Sequence, residues 1–412
     1  MKECEKKKRK KIAFYGHYDS TNFGNESTLQ AILYNLRRFQ PDAEVFCIST
    51  GPQATVATHH IKAVPLSEKF VKPWSSRSPL VRVVRFICVG IPSEFCRWVK
   101  GYIVLRRTQM LIVPGMGLLS DAFGLFVSYG PYNLLKWFLI AKVCGCKLLI
   151  VSVGAGPIYG TLGRLLLKSV ISLADFRSYR DISSKEYLCE IGFSVDNDRV
   201  YPDLAFSFPE SALPRQDNRK SRRPVVGLGV MAHSGKYSID GPTSEIQRAY
   251  LENLTVFVEW LLAHDYDVRL IIGDHVDLDV IEEFRNLLKA RLSEFDEARI
   301  IYEPISSVQN LLSQIAATDF VVATRFHNVL LSLLCDRPVI AISFHHKCDS
   351  LMSSMDLSTY CLDINNLKAD TLIRKFGDLS RNAGKLKSLI AAKKREFRKA
   401  LDEQYQFIFN DI

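Results

Sequence analysis

The sequence has 412 residues, of which 47% are hydrophobic and 24% are charged. These proportions exclude a disordered chain, and the length indicates two domains of roughly 200 residues each. The formal net charge of +10 favours anionic partners, either phosphorylated small molecules or an anionic membrane face. The sequence lacks an uncharged apolar run of about 18 or more residues, so we predict no transmembrane segment.

Cysteine spacing and the basic start bear on metal, nucleic acid and location. The ten cysteines include no C-x-x-C pair, and Cys144 and Cys146 flank a single glycine, so no metal site is predicted. Cysteines in apolar runs indicate a reducing compartment, and we expect a cytoplasmic protein. The lysine-rich residues 1–11 fit a solvated chain end, and no nucleic-acid partner is predicted.

In the first half, short apolar runs alternate with segments of helix length. This alternation is typical of a parallel sheet covered by helices on both faces. The predicted strands are Ile12–Tyr15, Val45–Ile48, Met110–Val113, Lys147–Ser152 and the segment around Phe176. The predicted helices are Glu26–Phe39, Tyr132–Cys144 and a helix that ends at Ile191 and is capped by Asp181.

The alternation restarts after a polar, charged stretch that we interpret as an interdomain linker at 213–223. The predicted strands beyond it are Pro224–Val230, Val268–Ile272, Arg299–Tyr302, Phe320–Ala323 and Pro338–Ser343. The predicted helices are Glu245–His264, Asp277–Leu292, a helix capped by Ser306 or Ser307, Val329–Cys335 and a mostly helical tail, Leu367–Gln406. We therefore predict two Rossmann-like α/β domains, 1–212 and 224–365, facing a cleft. The helical segment 366–412 is expected to return to the first domain.

Ligands of such folds bind at the carboxyl ends of the strands. Three glycine clusters follow predicted strands of the first domain. Glycine lets backbone N–H groups approach a ligand, although each cluster could also be a plain turn. The clusters comprise Gly16 to Glu26, with Asn22 and Gly24, then Gly115 with Gly117, and Gly154 with Gly156.

Basic side chains follow strands of both predicted domains. Arg325, His327 and Asn328 lie at the start of an apolar helix, where a guanidinium and free N–H groups favour a carboxylate or phosphate. His327 could act as a general acid or base, or simply pack in the protein. Arg180 and Lys347 follow other strands and are further candidates for binding an anion.

These segments, taken in order, resemble the polysaccharide pyruvyltransferase family. Its opening G-x-x-N-x-G-D-E loop is similar to Gly16 through Glu26, with Asn25 in the usual aspartate position. Its G-G-G segment is similar to 115–117, with Met116 replacing one glycine. Further similarities are Gly154, Gly156 and Pro157; Ser178, Arg180 and Asp181; Asp203 to Phe206; Arg325 and His327; and Val339, Ser343 and Lys347.

The resemblance implies a GT-B-like fold and the transfer of a pyruvyl group from phosphoenolpyruvate to a saccharide or lipid-linked saccharide, forming a ketal. It places the donor on the C-terminal domain and the acceptor on the N-terminal domain. Arg325 and His327 are then the expected catalytic residues, with His327 as the general acid or base. Arg325, Arg180 and Lys347 are expected to bind the donor anion. Phosphoenolpyruvate is a co-substrate, and no cofactor is expected. Two alternatives remain: a glycosyltransferase using a nucleotide-sugar donor, and a non-catalytic protein that binds sugar or phosphate.

The segment Leu80 to Arg107 mixes apolar and basic residues, and Pro92 is expected to break it into two helices. It could consist of ordinary amphipathic helices that pack on the sheet. It could instead be a membrane-facing surface that approaches a lipid-linked acceptor, with the protein peripheral at the inner face of the membrane.

Overall fold

The chain forms two parallel α/β units, seen in a computed structural model that describes residues 9–19, 21–68, 78–214, 223–232, 243–292 and 297–411. Each unit has one sheet, and helices connect consecutive strands. Most of the predicted linker, residues 215–222, lies outside the described residues. The predicted basic chain end is likewise outside them up to residue 8.

The sheet of the first unit has the strand order β3-β2-β1-β4-β5-β6-β7 in the described part of the chain, and every pairing is parallel. Its central strands are apolar and fully buried because helices cover both faces, which explains their unbroken apolar runs. The strands are β1 (Lys11–Gly16), β2 (Glu44–Ser49), β3 (Lys62–Pro65), β4 (Met110–Pro114), β5 (Lys147–Val153), β6 (Phe176–Tyr179) and β7 (Arg199–Val200).

The helices of the first unit begin with ordinary capping signals. The Asn22 side chain accepts a hydrogen bond from the Asn25 N–H at the start of α1, and Asp181 caps α7 in the same way through Ser184. These helices are α1 (Phe23–Phe39), α2 (Pro52–His59), α3 (Pro79–Arg85), α4 (Ile91–Leu105), α5 (Pro131–Val143), α6 (Thr161–Leu173) and α7 (Ile182–Glu190).

The second sheet has the order β10-β9-β8-β11-β12-β13 within the described ranges, again with parallel pairings only. Its strands are β8 (Val225–Gly229), β9 (Asp267–Ile271), β10 (Ile300–Tyr302), β11 (Phe320–Ala323), β12 (Val339–Ser343) and β13 (Cys361–Asp363). Its helices are α8 (Thr243–Ala263), α9 (Leu278–Arg291), α10 (Val308–Ala316), α11 (Phe326–Leu334), α12 (His346–Ser354) and α13 (Ala369–Arg381).

The last helix, α14 (Ala383–Gln406), returns to the first unit, as predicted. The Gln404 side chain is fully buried there and bonds both Ser152 and Ser178, which belong to β5 and β6. The Tyr405 hydroxyl pairs with Ser207, so the C-terminal segment holds the two units together.

Pro92 does not break the helix that contains it, contrary to the expectation from the sequence. A five-residue π-helical turn, Phe86–Gly90, joins α3 to α4 without a gap. In this turn the Ile91 N–H bonds the Phe86 carbonyl five residues earlier. Because the hydrogen-bond pattern changes at this turn, the helix tolerates the missing N–H of Pro92. Among the described residues, no helix combines the length and the apolar character needed to cross a bilayer.

Candidate active site

The carboxyl ends of the two sheets face each other across the cleft. The loop after β1 pairs with the loop after β9: the Phe23 N–H bonds the Gly273 carbonyl, and the His275 N–H bonds the Thr21 carbonyl. Between these contacts the Asn22 amide donates to the Asp274 carboxylate at 2.8 Å. Asn22, predicted to bind substrate, therefore fixes the two units at the floor of the cleft.

Gly24 lies directly against His327 of the second unit. A methyl group at Gly24 would stand 1.9 Å from His327 Nδ1 and 2.2 Å from Cγ, far inside van der Waals contact. Gly24 is the second residue of α1, and His327 is the second residue of α11. The missing side chain at Gly24 thus makes the space that the imidazole occupies.

Two further glycines of the first unit contact basic side chains in the same way. A methyl group at Gly117 would lie 3.1 Å from Lys347 Nζ, and one at Gly154 would lie 2.9 Å from Arg180 Nε. Gly117 and Gly154 follow β4 and β5, whereas Lys347 follows β12. Glycine clusters and basic groups, predicted from separate strand ends, therefore meet along one rim.

Arg180 is almost fully buried and has a fixed orientation. Its Nη1 lies 3.3 Å from the Asp203 carboxylate, and its guanidinium carbon stands 4.4 Å from the centre of the Phe326 ring. Its Nε is buried and makes no hydrogen bond, and it lies 3.4 Å from the Asp181 carboxylate. Because this contact is longer than a hydrogen bond, this edge of Arg180 is suited to an anionic ligand that approaches more closely.

The lowered pKa of His327 leaves its imidazole neutral near pH 7. Burial is the main cause that lowers its pKa to about 4, and the nearby cations Arg180, Lys347 and Arg325 lower it further, against the carboxylate of Asp203. Its Nε2 is buried without a hydrogen-bond partner. An anion bound beside this ring would raise its pKa, so His327 would take up a proton together with such a ligand.

The pKa of Lys347 is also lowered by its surroundings, which include other positively charged groups. Burial, followed by the Arg180 guanidinium, lowers the pKa of Lys347 to about 8. His345, which caps α12, has its pKa lowered to about 3 by burial and by Lys347. Basic groups that depress one another's pKa values in a buried rim form a site that gains stability when a dianion binds.

Arg325, by contrast, is held by a carboxylate of its own unit. Its Nε and Nη2 donate to the two oxygens of Asp277 at 2.9 and 2.6 Å, and the Asp277 side chain is completely buried. This bidentate pair occupies the fork that the sequence analysis assigned to the donor. Asp277 also accepts from the Ala232 N–H, so the pair ties α9 and β8 to the start of α11.

Asn328 is fully buried, and neither its Oδ1 nor its Nδ2 has a hydrogen-bond partner. The side chain lies between Gly229, the last residue of β8, and Gly273, which follows β9: methyl groups at Gly229 and Gly273 would stand 3.1 Å from its Nδ2 and 2.6 Å from its Oδ1. An unpaired amide at this depth is costly and can be satisfied by a polar ligand.

Three of the predicted substrate-binding residues are engaged elsewhere. The Glu26 carboxylate is buried in the first unit and pairs with His59 at the end of α2. Gly115 has φ +55° and packs on Thr28, and Gly156 has φ +81° and packs on the Tyr187 ring. These two glycines shape turns in a backbone region that disfavours other residues.

A cavity of about 800 Å³ lies between the two units, next to Arg180 and Lys347. Its wall includes Arg180, Asp203, Phe326 and Lys347, together with residues of α7, α12 and α14. Across it the Ser183 and Ser350 hydroxyls pair with each other. The volume is large enough for a small phosphorylated donor and a sugar together.

The sequence analysis did not assign Asp203, Phe326 or Asp277 to the site. Asp203 was recognised only as part of a motif, although an acidic residue between two predicted elements could have marked a partner for Arg180. Phe326 stands between the two residues singled out, and its ring supports Arg180. Asp277 was predicted only as the start of a helix. Within the described ranges, no group of three or more His, Cys, Asp or Glu residues is placed to hold a metal ion.

The two facing α/β units define a GT-B-like fold. The fold is similar to Anabaena HepE in complex with UDP and glucose (12% identity, TM-score 0.59, 96% of this chain and 99% of that chain). It is also similar to a glycosyltransferase from Rickettsia africae (12% identity, TM-score 0.57, 98% and 100%). At these identities the similarity concerns the fold alone.

The sequence profile of the polysaccharide pyruvyl transferase family matches residues 22–346, and the chain belongs to that family. The amylovoran biosynthesis protein AmsJ of Erwinia amylovora is 18% identical over 405 residues, which cover 92% of this chain and 94% of AmsJ. The protein is therefore a transferase that acts on polysaccharides. The matched region contains all the site residues predicted from the sequence except Lys347, which follows its last residue directly.

Proposed function

We propose that the protein transfers a pyruvyl group from phosphoenolpyruvate to two hydroxyls of a saccharide, forming a cyclic ketal and releasing phosphate. The observation that carries this proposal is the convergence of basic groups on one rim: Arg180 Nε and His327 Nε2 are buried and make no hydrogen bond, and Lys347, whose pKa is lowered by burial and by Arg180, lies against Gly117 on the same rim. Phosphoenolpyruvate supplies a carboxylate and a phosphate, which together match such a site.

Arg180 and Lys347 are the donor-binding groups in this proposal. The Nε edge of the guanidinium suits a planar carboxylate or two phosphate oxygens, while the Lys347 ammonium is a compact charge for the phosphate. Gly117 and Gly154 keep the space around both groups open, because any side chain there would contact them. Asn328 would contribute its unpaired amide to the same ligand. Arg325, paired with Asp277, would hold the start of α11 and thereby position His327.

His327 is the proposed general acid and base. The bound dianion raises its pKa, so the imidazole carries a proton when the donor is in place. Transfer of this proton to the methylene carbon converts it to a methyl group and leaves an oxocarbenium-like carbon that bears the phosphate. The carboxylate remains attached to that carbon throughout.

The saccharide then completes the reaction in two additions. One hydroxyl attacks the electrophilic carbon and gives up its proton to the neutral imidazole. The carbon–oxygen bond to phosphate breaks, the second hydroxyl adds to the same carbon, and its proton leaves with the phosphate. One proton enters the methyl group and one leaves on phosphate, so the two hydroxyl protons balance the step.

Incubation of the protein with phosphoenolpyruvate and candidate saccharides tests the proposal. We expect phosphate release in step with an acceptor whose mass rises by one pyruvate ketal, and loss of both in His327→Gln and Arg180→Gln. Thermal-shift measurements with phosphoenolpyruvate and with a nucleoside diphosphate separate this reading from its alternatives. Stabilisation by the nucleotide alone would favour a nucleotide-sugar transferase, and donor binding without turnover on any saccharide would favour a non-catalytic binding protein.

A further inference from the structure

The helical segment from α3 to α4, residues 79–105, carries a dense set of large apolar side chains that are exposed to solvent. None of the side chains of α3 is buried, and Leu80 and Phe86 are 73% and 65% exposed. In α4 only Gly101 and Leu105 are buried. A contiguous apolar surface of this kind marks a site of interaction with another molecule or a membrane.

The side of α4 that faces the protein is partly apolar and partly charged. Trp98, Val104 and Leu105 pack on the core. Beside them Glu94 pairs with Arg97 and accepts hydrogen bonds from Lys136 and Tyr132 of α5. The solvent-facing side of α4 is apolar. The exposed apolar residues of this side are Ile91, Phe95, Val99, Tyr102 and Ile103, and Phe95 is 69% exposed. Packing on the first unit therefore does not explain these exposed apolar residues.

The charge of this segment is strongly one-sided. Residues 79–107 contain six basic residues and a single acidic residue, Glu94, whose carboxylate contacts α5 and Arg97. Lys100 pairs with Glu68 outside the segment, which leaves Arg82 and the arginines at the end of α4 for other contacts. Arg82 lies among the exposed apolar residues of α3, and Arg106 and Arg107 follow the end of α4. Basic residues at both ends of an exposed apolar helix complement an anionic bilayer surface, where apolar side chains reach the acyl region while arginines contact headgroups.

The surface continues toward the cleft. Phe126, 70% exposed, contacts the ring of Tyr132, which bonds Glu94 of α4. In the same loop Phe123 contacts Tyr129, whose ring lies 4.6 Å from that of His17 after β1. This loop begins just beyond Gly117, so one connection joins the apolar surface to the rim that holds Lys347.

We propose that the docking surface, formed by residues 79–107 with Phe123 and Phe126, binds an anionic lipid bilayer. The helix lies in the interface with its apolar side chains directed at the acyl region and its arginines among the headgroups, and the cleft opens beside the membrane. The docking does not depend on the reaction proposed above. If both are correct, the arrangement presents the cleft to a saccharide carried on a lipid.

Vesicle co-sedimentation of the full chain tests the proposal, with vesicles of phosphatidylcholine alone and with phosphatidylglycerol added. We expect binding to the anionic vesicles that weakens with salt. Ile87→Ser with Phe95→Ser should weaken it at least tenfold, because two apolar side chains no longer insert. Arg82→Gln with Arg106→Gln should weaken it about 25-fold, at about fivefold for each basic residue near an anionic surface. Leu287→Ser, at an exposed apolar position of α9 in the second unit, should have no effect.

Sedimentation and unfolding measurements on each variant show that the chain is folded and report its oligomeric state. Equal binding to neutral and anionic vesicles would overturn the electrostatic part of the proposal. Failure to bind any vesicle would overturn the membrane assignment. A dimer in solution that dissociates in the Ile87→Ser, Phe95→Ser variant would overturn it as well and would identify a second copy as the occupant. Neither outcome depends on pyruvyl transfer.

Discussion

The contact between Gly24 and His327 offers the sharpest test of the site. Gly24→Ala adds one methyl group at the second position of α1, where alanine is otherwise the better helix former by about 1 kcal/mol. That methyl would lie 1.9 Å from His327 Nδ1. The substitution should therefore favour the local helix while expelling the imidazole from its position.

The expected loss of activity follows from the overlap between the added methyl group and the His327 imidazole. Ordinary contact between a Cβ and a neighbouring atom begins at about 3.4 Å, so the ring must move by roughly 1.5 Å or the two units must separate slightly. Misplacement of a catalytic group by about 1 Å costs on the order of a hundredfold in rate. We expect kcat for phosphate release to fall by at least about a hundredfold, with the protein still folded.

Steady-state phosphate release and urea unfolding measure the two effects separately. Gly384→Ala is the matched control, since Gly384 is also the second residue of its helix and a methyl there meets nothing within 4 Å. In a His327→Ala background, Gly24→Ala should cost no further activity. Wild-type kcat in Gly24→Ala, or an equal loss in the His327→Ala background, would refute the assigned contact.

Three further expectations concern charge. Because burial and Arg180 lower the pKa of Lys347 to about 8, the KM for phosphoenolpyruvate should rise as pH increases above about 8. The Lys347→Arg variant stays charged and should remove that rise. A rise that persists in the variant would contradict the role of Lys347 in donor binding. Burial lowers the pKa of His327 from 6.5 to about 4, so between these pH values the unfolded chain binds a proton at His327 and the native protein does not. The free energy of unfolding should then fall as pH drops from about 6.5 to about 4, less steeply in His327→Gln, and identical pH profiles would count against it. Asp277→Ala leaves the Arg325 guanidinium without its buried partner and should lower the free energy of unfolding in urea by roughly 3–5 kcal/mol, whereas a loss below about 1 kcal/mol would show that the pair contributes little.

The order of strands and helices was largely readable from the sequence. Predicted strands such as Phe320–Ala323 agree with the structure residue for residue, and most others differ by one or two residues at their ends. The short strands β3, β7 and β13 were missed, because segments of two to four residues carry too little periodic signal. The returning C-terminal helix was predicted from its length and confirmed.

The residue types of the cleft were also predictable, because glycines and basic residues after strands mark a rim shared by all parallel strands. Their partners were not. Nothing near Arg325 in the sequence indicates that Asp277 occupies its guanidinium, and nothing near Glu26 indicates His59. Such pairs join segments far apart in the chain, so they depend on how the layers pack.

The sequence alone determined that this chain is an α/β protein with anion-binding groups at strand ends, since hydrophobic period and residue chemistry act over a few neighbouring residues. Only the tertiary structure decided which basic groups remain unpaired, which are neutralised, and which face of α4 meets solvent. Burial and charge pairing are properties of the packed fold, and both depend on atoms contributed by distant segments.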